Sequence, residues 1–298
     1  MSSSEVPVTF ECEGETLLGI VHVPDGLPAA SRGVLAMPAG GPQYRGGCCR
    51  QLLFLGRRLA AAGTPVMRFD YRGIGDGSGD FVGFTDTEAD IRAAIDTFRA
   101  TVPGLSEIVL WGGCDAASAS MIHAWKLPGV TGLALGNPYV HTEETGEQAM
   151  VKHYYLQRLR EPVFWKKVFS LRFNPLPALA TVGRVLKRKL SPRTQIAAVA
   201  PRDDVDGLPY PLRMRVGMER FNGHMLMLMS GRSIVSKEFD ELVAAEPAWS
   251  SALNQCKSFT RHDLPEADQA FSTIAARDEV IDIARDWLQG LPPPRDAD

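Results

Sequence analysis

The chain has 298 residues, is 45% hydrophobic and carries a formal net charge of −3, enough apolar content for a large buried core and a length suited to one domain with an inserted cap. The first residues, MSSSEVPVTFECEGE, lack the basic start and apolar run of a secretory signal. No stretch reaches the roughly 20 apolar residues of a membrane span, so the expectation is a soluble, cytoplasmic protein.

In chain order, Thr16 to Val23 and Gly33 to Met37 read as strands. A helix from about Arg50 to Ala62 stops at Gly63 before a strand over Pro65 to Phe69. A second helix, about Asp86 to Ala100, precedes the buried strand Ile108 to Trp111, and Gly132 to Gly136 forms another strand. This alternation predicts an α/β protein with a mostly parallel central sheet. From 139 to 210 the pattern changes to helical segments rich in bases and aromatics, read as a helical cap, with the core in 1–138 and 211–298. The sheet resumes at Met225 to Met229, whose methionine alternation suits a buried strand better than a copper site. A helix near Ser236 to Ala245, a strand near Ser258 to Asp263 and a helix from about Arg277 to Leu288 close the pattern.

The charge is unevenly spread. Residues 151–193 carry eleven Lys or Arg against the single acid Glu161, a segment charge of +10, leaving −13 for the rest. Such a basic cap suits an anionic partner, with a merely solvated face as the alternative. Nucleic acid is disfavoured, since no helix-turn-helix, zinc-finger or RNA-binding signature accompanies the bases. Phe164, Trp165, Phe169 and Phe173 beside them fit either the cap interior or peripheral contact with a membrane surface. Five cysteines without paired spacing argue against a disulfide framework or a metal site, and Cys48 and Cys49 read as packing thiols. No cofactor motif is present: the glycine-rich run from Gly73 to Gly79 lacks the Lys-Ser/Thr ending of a phosphate-binding loop.

The chemistry concentrates at Gly112-Gly113-Cys114-Asp115-Ala116. A strand leads in and a small-residue helix leads out, the sequence context of a nucleophile elbow, where small neighbours are needed because the backbone turns sharply. Cys114 is the candidate nucleophile. The alternative is a buried structural thiol. The helix N-terminus favours its thiolate and Asp115 opposes it. An oxyanion hole would combine the Asp115 N–H with a second N–H from Gly40 or Gly41.

Gly40 to Arg45, Arg68 to Gly73, Trp111 to Ala119 and His153 to Leu159 together resemble the first type of exosortase-A-system-associated α/β-hydrolases, over about Thr16 to Leu288. The resemblance implies an α/β-hydrolase fold with a cysteine at the elbow. It also implies an acid after the late strand, where this chain has Ser233, and a His base after the last strand, where it has Gln269. Cys49 stands where that family commonly has His. Gln269 cannot act as a general base. His141, oriented by Glu143 or Glu144, and His262 near the end of the last strand are the substitute candidates, each with an ordinary structural or surface role as its alternative.

Three functions are compatible with this reading. The first is acyl transfer through a cysteinyl thioester, with the substrate carried on coenzyme A or an acidic carrier protein that meets the basic cap. The second is ester or thioester hydrolysis with a relocated base. The third is a non-covalent catalyst or a non-catalytic, ligand-binding relative of hydrolases.

Overall fold

The computed structural model describes residues 3–26, 30–39, 43–141 and 205–294. Eight strands form one sheet: β1 (Ser3–Cys12), β2 (Glu15–Pro24), β3 (Arg32–Met37), β4 (Val66–Phe69), β5 (Glu107–Gly113), β6 (Val130–Gly136), β7 (His224–Ser230) and β8 (Ser258–Leu264). Their order is β1-β2-β4-β3-β5-β6-β7-β8. β2 pairs antiparallel with both neighbours, and every other pairing is parallel.

The inner parallel strands β3, β5, β6 and β7 are buried on both faces, and their side chains divide by parity. Leu35 and Met37 of β3 enter one core, with Leu110, Leu133, Met225 and Met227. Val34 and Ala36 enter the other, with Val109, Leu226 and Leu228. The methionine run is therefore core packing, as its alternation implies. The first core is covered by α2 (Glu88–Thr101), α3 (Asp115–His123), α4 (Tyr210–Arg220) and α6 (Pro247–Asn254). The second is covered by α1 (Gln51–Ala61) and α7 (Ile274–Gly290). One further helix, α5 (Ile234–Ala245), follows β7.

Three elements go beyond the sequence reading. β1 is an outer strand whose residues are mostly exposed, and Pro7 interrupts its pattern. Such a strand has no continuous apolar side to betray it. α4 begins with Pro211 in its first turn at the border assigned to the cap, and the short α6 likewise starts on Pro247. The assigned cap lies mostly in 142–204, outside the described residues, together with its basic segment and aromatics. No helix among the described residues is long and apolar enough to cross a membrane.

Two buried histidines lie in the described core. His22 of β2 accepts a hydrogen bond at Nε2 from Arg68 Nε (2.9 Å), and burial, with the Arg68 charge, pushes its pKa down to about 4. His123 at the end of α3 is buried and likewise falls to about 4, chiefly through burial. The native state holds both neutral, whereas the unfolded chain protonates them near pH 6.5. Their contribution is complete above that pH and is lost as the pH falls from about 6.5 through 4. Urea unfolding midpoints are expected to decline across that window, and His123→Gln to flatten the decline; equal slopes in variant and wild type would contradict this assignment.

Candidate functional site

The site is built where β5 ends. Gly113 closes the strand, Cys114 turns the chain and α3 starts at Asp115. Cys114 has φ 55° and ψ −122°, a conformation L-residues rarely adopt. It persists because both its backbone groups are held. Its N–H donates to Gly136 O at the end of β6 (2.8 Å), and its carbonyl accepts from Ser118 N (3.2 Å) and Tyr139 N (3.3 Å). Gly112 is the close-approach position of the motif, since a Cβ there would stand 2.6 Å from the Ala116 backbone. Buried Ala116 fills the other small position.

This turn sets the thiol's environment. Burial raises the Cys114 pKa above the ordinary thiol range, and the Asp115 carboxylate raises it further. The Asp115 N–H and the Gln269 side chain work in the opposite direction. Burial and Asp115 prevail over the helix N-terminus, so the resting group is the thiol. The Asp115 N–H lies against the sulfur, where an oxyanion donor belongs. Asp115 Oδ1 meanwhile accepts from Ala116 N (2.9 Å). Gly40 and Gly41, the candidates for the second donor, lie outside the described residues. Just beyond them, the Arg45 guanidinium pairs with fully buried Asp70 and reaches Asp76 at 2.7 Å. Asp70 also accepts from Asp76 N (3.1 Å). In the same motif Arg72 grips buried Asp90, Nη2 to Oδ2 at 2.8 Å. The charges of Arg68 to Gly73 thus serve the scaffold around the elbow.

The two positions singled out by the resemblance, Gln269 and Ser233, meet each other. Gln269, in the loop after β8, lies beside Cys114, and the Ser233 hydroxyl, after β7, donates to Gln269 Oε1. With Oε1 engaged, the amide presents Nε2, which is buried and makes no hydrogen bond among the described residues. An amide donor can favour a thiolate but cannot accept its proton. Ser233 also caps α5, accepting from Ser236 N (3.2 Å). Gln269 thus stands next to Cys114 and Ser233 next to Gln269, and neither side chain can take up the thiol proton.

Asn137 holds this arrangement and has no counterpart in the sequence reading. Fully buried beyond β6, it donates from Nδ2 to Ser230 Oγ (2.8 Å) and Gln269 O (2.9 Å). Its Oδ1 accepts from Ser230 N (2.8 Å) and Ser236 Oγ (2.6 Å). Ser230 Oγ donates in turn to Asp268 O (2.7 Å), and Gln51 Nε2 of α1 to Ala270 O (2.7 Å). Asp268 is itself held by Ser272, whose backbone N–H lies 2.8 Å from Oδ1. The only signal available was a polar Asn directly after an apolar strand.

Of the candidate bases, His141 lies beside the aromatic group next to the elbow. Its ring centroid is 6.2 Å from that of Tyr139, and its carbonyl accepts from Tyr210 Oη (2.6 Å). Its Nδ1 pairs with Glu238 Oε1 at 2.9 Å, and Glu238 is 3% exposed. The orienting acid in the described structure is thus Glu238 of α5, while Glu143 and Glu144 lie outside the described residues. His262 is exposed on β8, at the sheet edge, and no hydrogen bond or ion pair among the described residues ties it to Cys114. Cys48 and Cys49 correct another expectation. Neither is buried, and their sulfurs stand 3.8 Å apart, so they are not packing thiols. The backbone explains this: Cys49 and Arg50 take left-handed conformations (φ 50° and 59°), which turn the segment outward before α1.

Solved structures match the whole chain. An esterase from Pyrococcus furiosus superposes with a TM-score of 0.61 at 13% identity, over 96% of this chain and 92% of its own. Est1E from Butyrivibrio proteoclasticus, with ferulic acid bound, gives 0.58 at 14% identity, over 95% and 98%. A dienelactone hydrolase from Anabaena variabilis gives 0.56 at 13% identity, over 97% and 98%. No protein-family profile and no curated protein matches the sequence. Strand order, elbow geometry and these neighbours together define an α/β-hydrolase fold.

Iodoacetamide labelling of Cys114, followed by peptide mass, is expected to rise with pH through a midpoint above the ordinary thiol range. Asp115→Asn removes the opposing charge, so its midpoint should fall and its labelling at neutral pH should quicken. Coincident profiles would contradict the role given to Asp115.

Proposed function

We propose that the protein transfers acyl groups through a thioester on Cys114, the donor itself being a thioester. One observation carries this reading: Gln269, at the position the family resemblance gives to the base, is an amide beside Cys114 and cannot accept its proton. A serine nucleophile would be inert there, because its hydroxyl must lose a proton as it attacks. A thiol ionises far more readily, and a thioester donor expels a thiolate that needs no protonation. The acyl carbonyl oxygen would rest on the Asp115 N–H, and Gln269 Nε2 would stabilise the sulfur as it ionises. The raised thiol pKa makes acylation slow at neutral pH and faster in base.

The esterase and hydrolase neighbours support acyl chemistry at this position in the fold. The resemblance to the exosortase-associated α/β-hydrolases, with their elbow cysteine, points the same way. Coenzyme A or an acidic carrier protein is the donor that suits the basic 151–193 segment, and a cytoplasmic location agrees with both. Peripheral membrane contact through that segment is the competing use of its charge.

Incubation with an acyl-coenzyme A followed by intact mass tests the reading. The wild-type chain is expected to gain one acyl mass, mapped to Cys114, and Cys114→Ala to gain none there. Ser233→Asp combined with Gln269→His restores an acid and a base, and should speed release of the free acid by tenfold or more. A wild-type chain that is never acylated at Cys114 contradicts the proposal.

A further inference from the structure

The substituted base position leaves open how an acyl group would leave Cys114. Departure to a thiol needs little help, but departure to a hydroxyl does, because an unassisted alcohol or water is a poor nucleophile at neutral pH. A base for that step must lie beside the elbow, present an unprotonated ring nitrogen and be fixed in orientation.

His141 is tied toward the elbow through its neighbours and oriented by a carboxylate. It follows β6 by five residues, and the intervening Tyr139 is clamped to the elbow from both sides. Tyr139 N lies 3.3 Å from Cys114 O and 2.9 Å from Ser118 Oγ, and Ser118 Oγ also donates to Tyr139 O (2.7 Å). The Tyr139 ring stacks on Tyr210 (centroids 6.3 Å apart, planes 5° apart), and Phe84 meets both rings edge-on. Tyr210 Oη fixes the His141 carbonyl. This wall sets where the imidazole stands relative to Cys114.

The imidazole is then oriented by its partner. Both Glu238 oxygens lie within reach of Nδ1, at 2.9 and 3.2 Å, and no other hydrogen bond to this carboxylate is formed among the described residues. In a neutral imidazole, a carboxylate at Nδ1 fixes the proton on that nitrogen and turns the Nε2 lone pair away from it. His141 is half exposed while Glu238 is buried, so the ring has access to a ligand and its support does not compete for one.

We propose that His141, held by Glu238, is the general base for attack by a hydroxyl nucleophile on the Cys114 thioester, with His141 catalytic and Glu238 a positioning residue. This rests on acylation of Cys114 as proposed above. The hydroxyl oxygen bonds to the thioester carbonyl carbon while its proton passes to His141 Nε2. The tetrahedral oxyanion then collapses, the carbon–sulfur bond breaks and the electron pair leaves with sulfur. The Cys114 thiolate recovers a proton from water, and the imidazolium gives its proton to solvent. The product is an ester if the hydroxyl belongs to an alcohol, and a free acid if it belongs to water.

The test separates loading from unloading. Protein acylated from acyl-coenzyme A is freed of donor and followed by intact mass in buffer alone and with added glycerol. Free acid marks attack by water, and glycerol ester marks attack by an alcohol. His141→Ala and Glu238→Gln should load like wild type but unload at least tenfold more slowly in whichever arm the wild type uses. Glu238→Asp should recover part of the rate, and added imidazole should restore His141→Ala, recoveries that a merely structural role would not give. Normal loading with unchanged unloading in both variants overturns this inference and leaves the Cys114 proposal standing. A wild-type chain that never loads overturns both.

Discussion

A single backbone conformation governs the site. At φ 55° and ψ −122°, Cys114 can exist only where neighbouring elements take up its N–H and carbonyl. They do so from β6, from α3 and from Tyr139, so three separate segments converge on one residue. The cost of such a residue is of order 1–3 kcal/mol, and it is offset by the sheet and helix that meet there. In return the sulfur stands clear of the strand with the first free N–H of α3 against it. The Asp115 N–H, the Cys114 sulfur and the aromatic wall are thereby fixed relative to one another.

Around this point the polar groups form two supports. Asn137 ties the ends of β6 and β7, the start of α5 and the loop bearing Gln269 into one buried network, which gives Gln269 its place. Arg45 with Asp70 ties the loop after β3 to the end of β4, and Arg72 with Asp90 ties the segment after β4 to α2. A half-satisfied buried network would be costly. In this one the Gln269 amide nitrogen is buried without a hydrogen-bond partner among the described residues.

Much of the fold was legible in the sequence because burial leaves a periodic trace. The runs around Leu35, Leu110 and Met227 and the apolar faces of α1, α2 and α7 lie where their periodicity places them. β1 was illegible because an outer strand needs no apolar alternation. At the site, Cys114 was readable from the strand, small-residue turn and helix around it. Ser233 and Gln269 came from the family resemblance, and the hydrogen bond between them is a tertiary fact. Glu238 and Asn137 could not be found in this way. Glu238 lies 97 residues from His141, and its place in an ordinary amphipathic helix does not announce that its carboxylate is buried against an imidazole. Glu143 and Glu144 were the natural choice only because sequence proximity is the one distance a sequence displays.

The central claim is that this elbow carries an acyl group on sulfur. A crystal structure of the protein soaked with an acyl-coenzyme A tests it most directly. The account predicts continuous density from Cys114 Sγ to a planar acyl group whose carbonyl oxygen sits about 3 Å from the Asp115 nitrogen, with Gln269 Nε2 turned toward the sulfur. A free Cys114 thiol, with the acyl group carried on Cys48 or Cys49 instead, would contradict it.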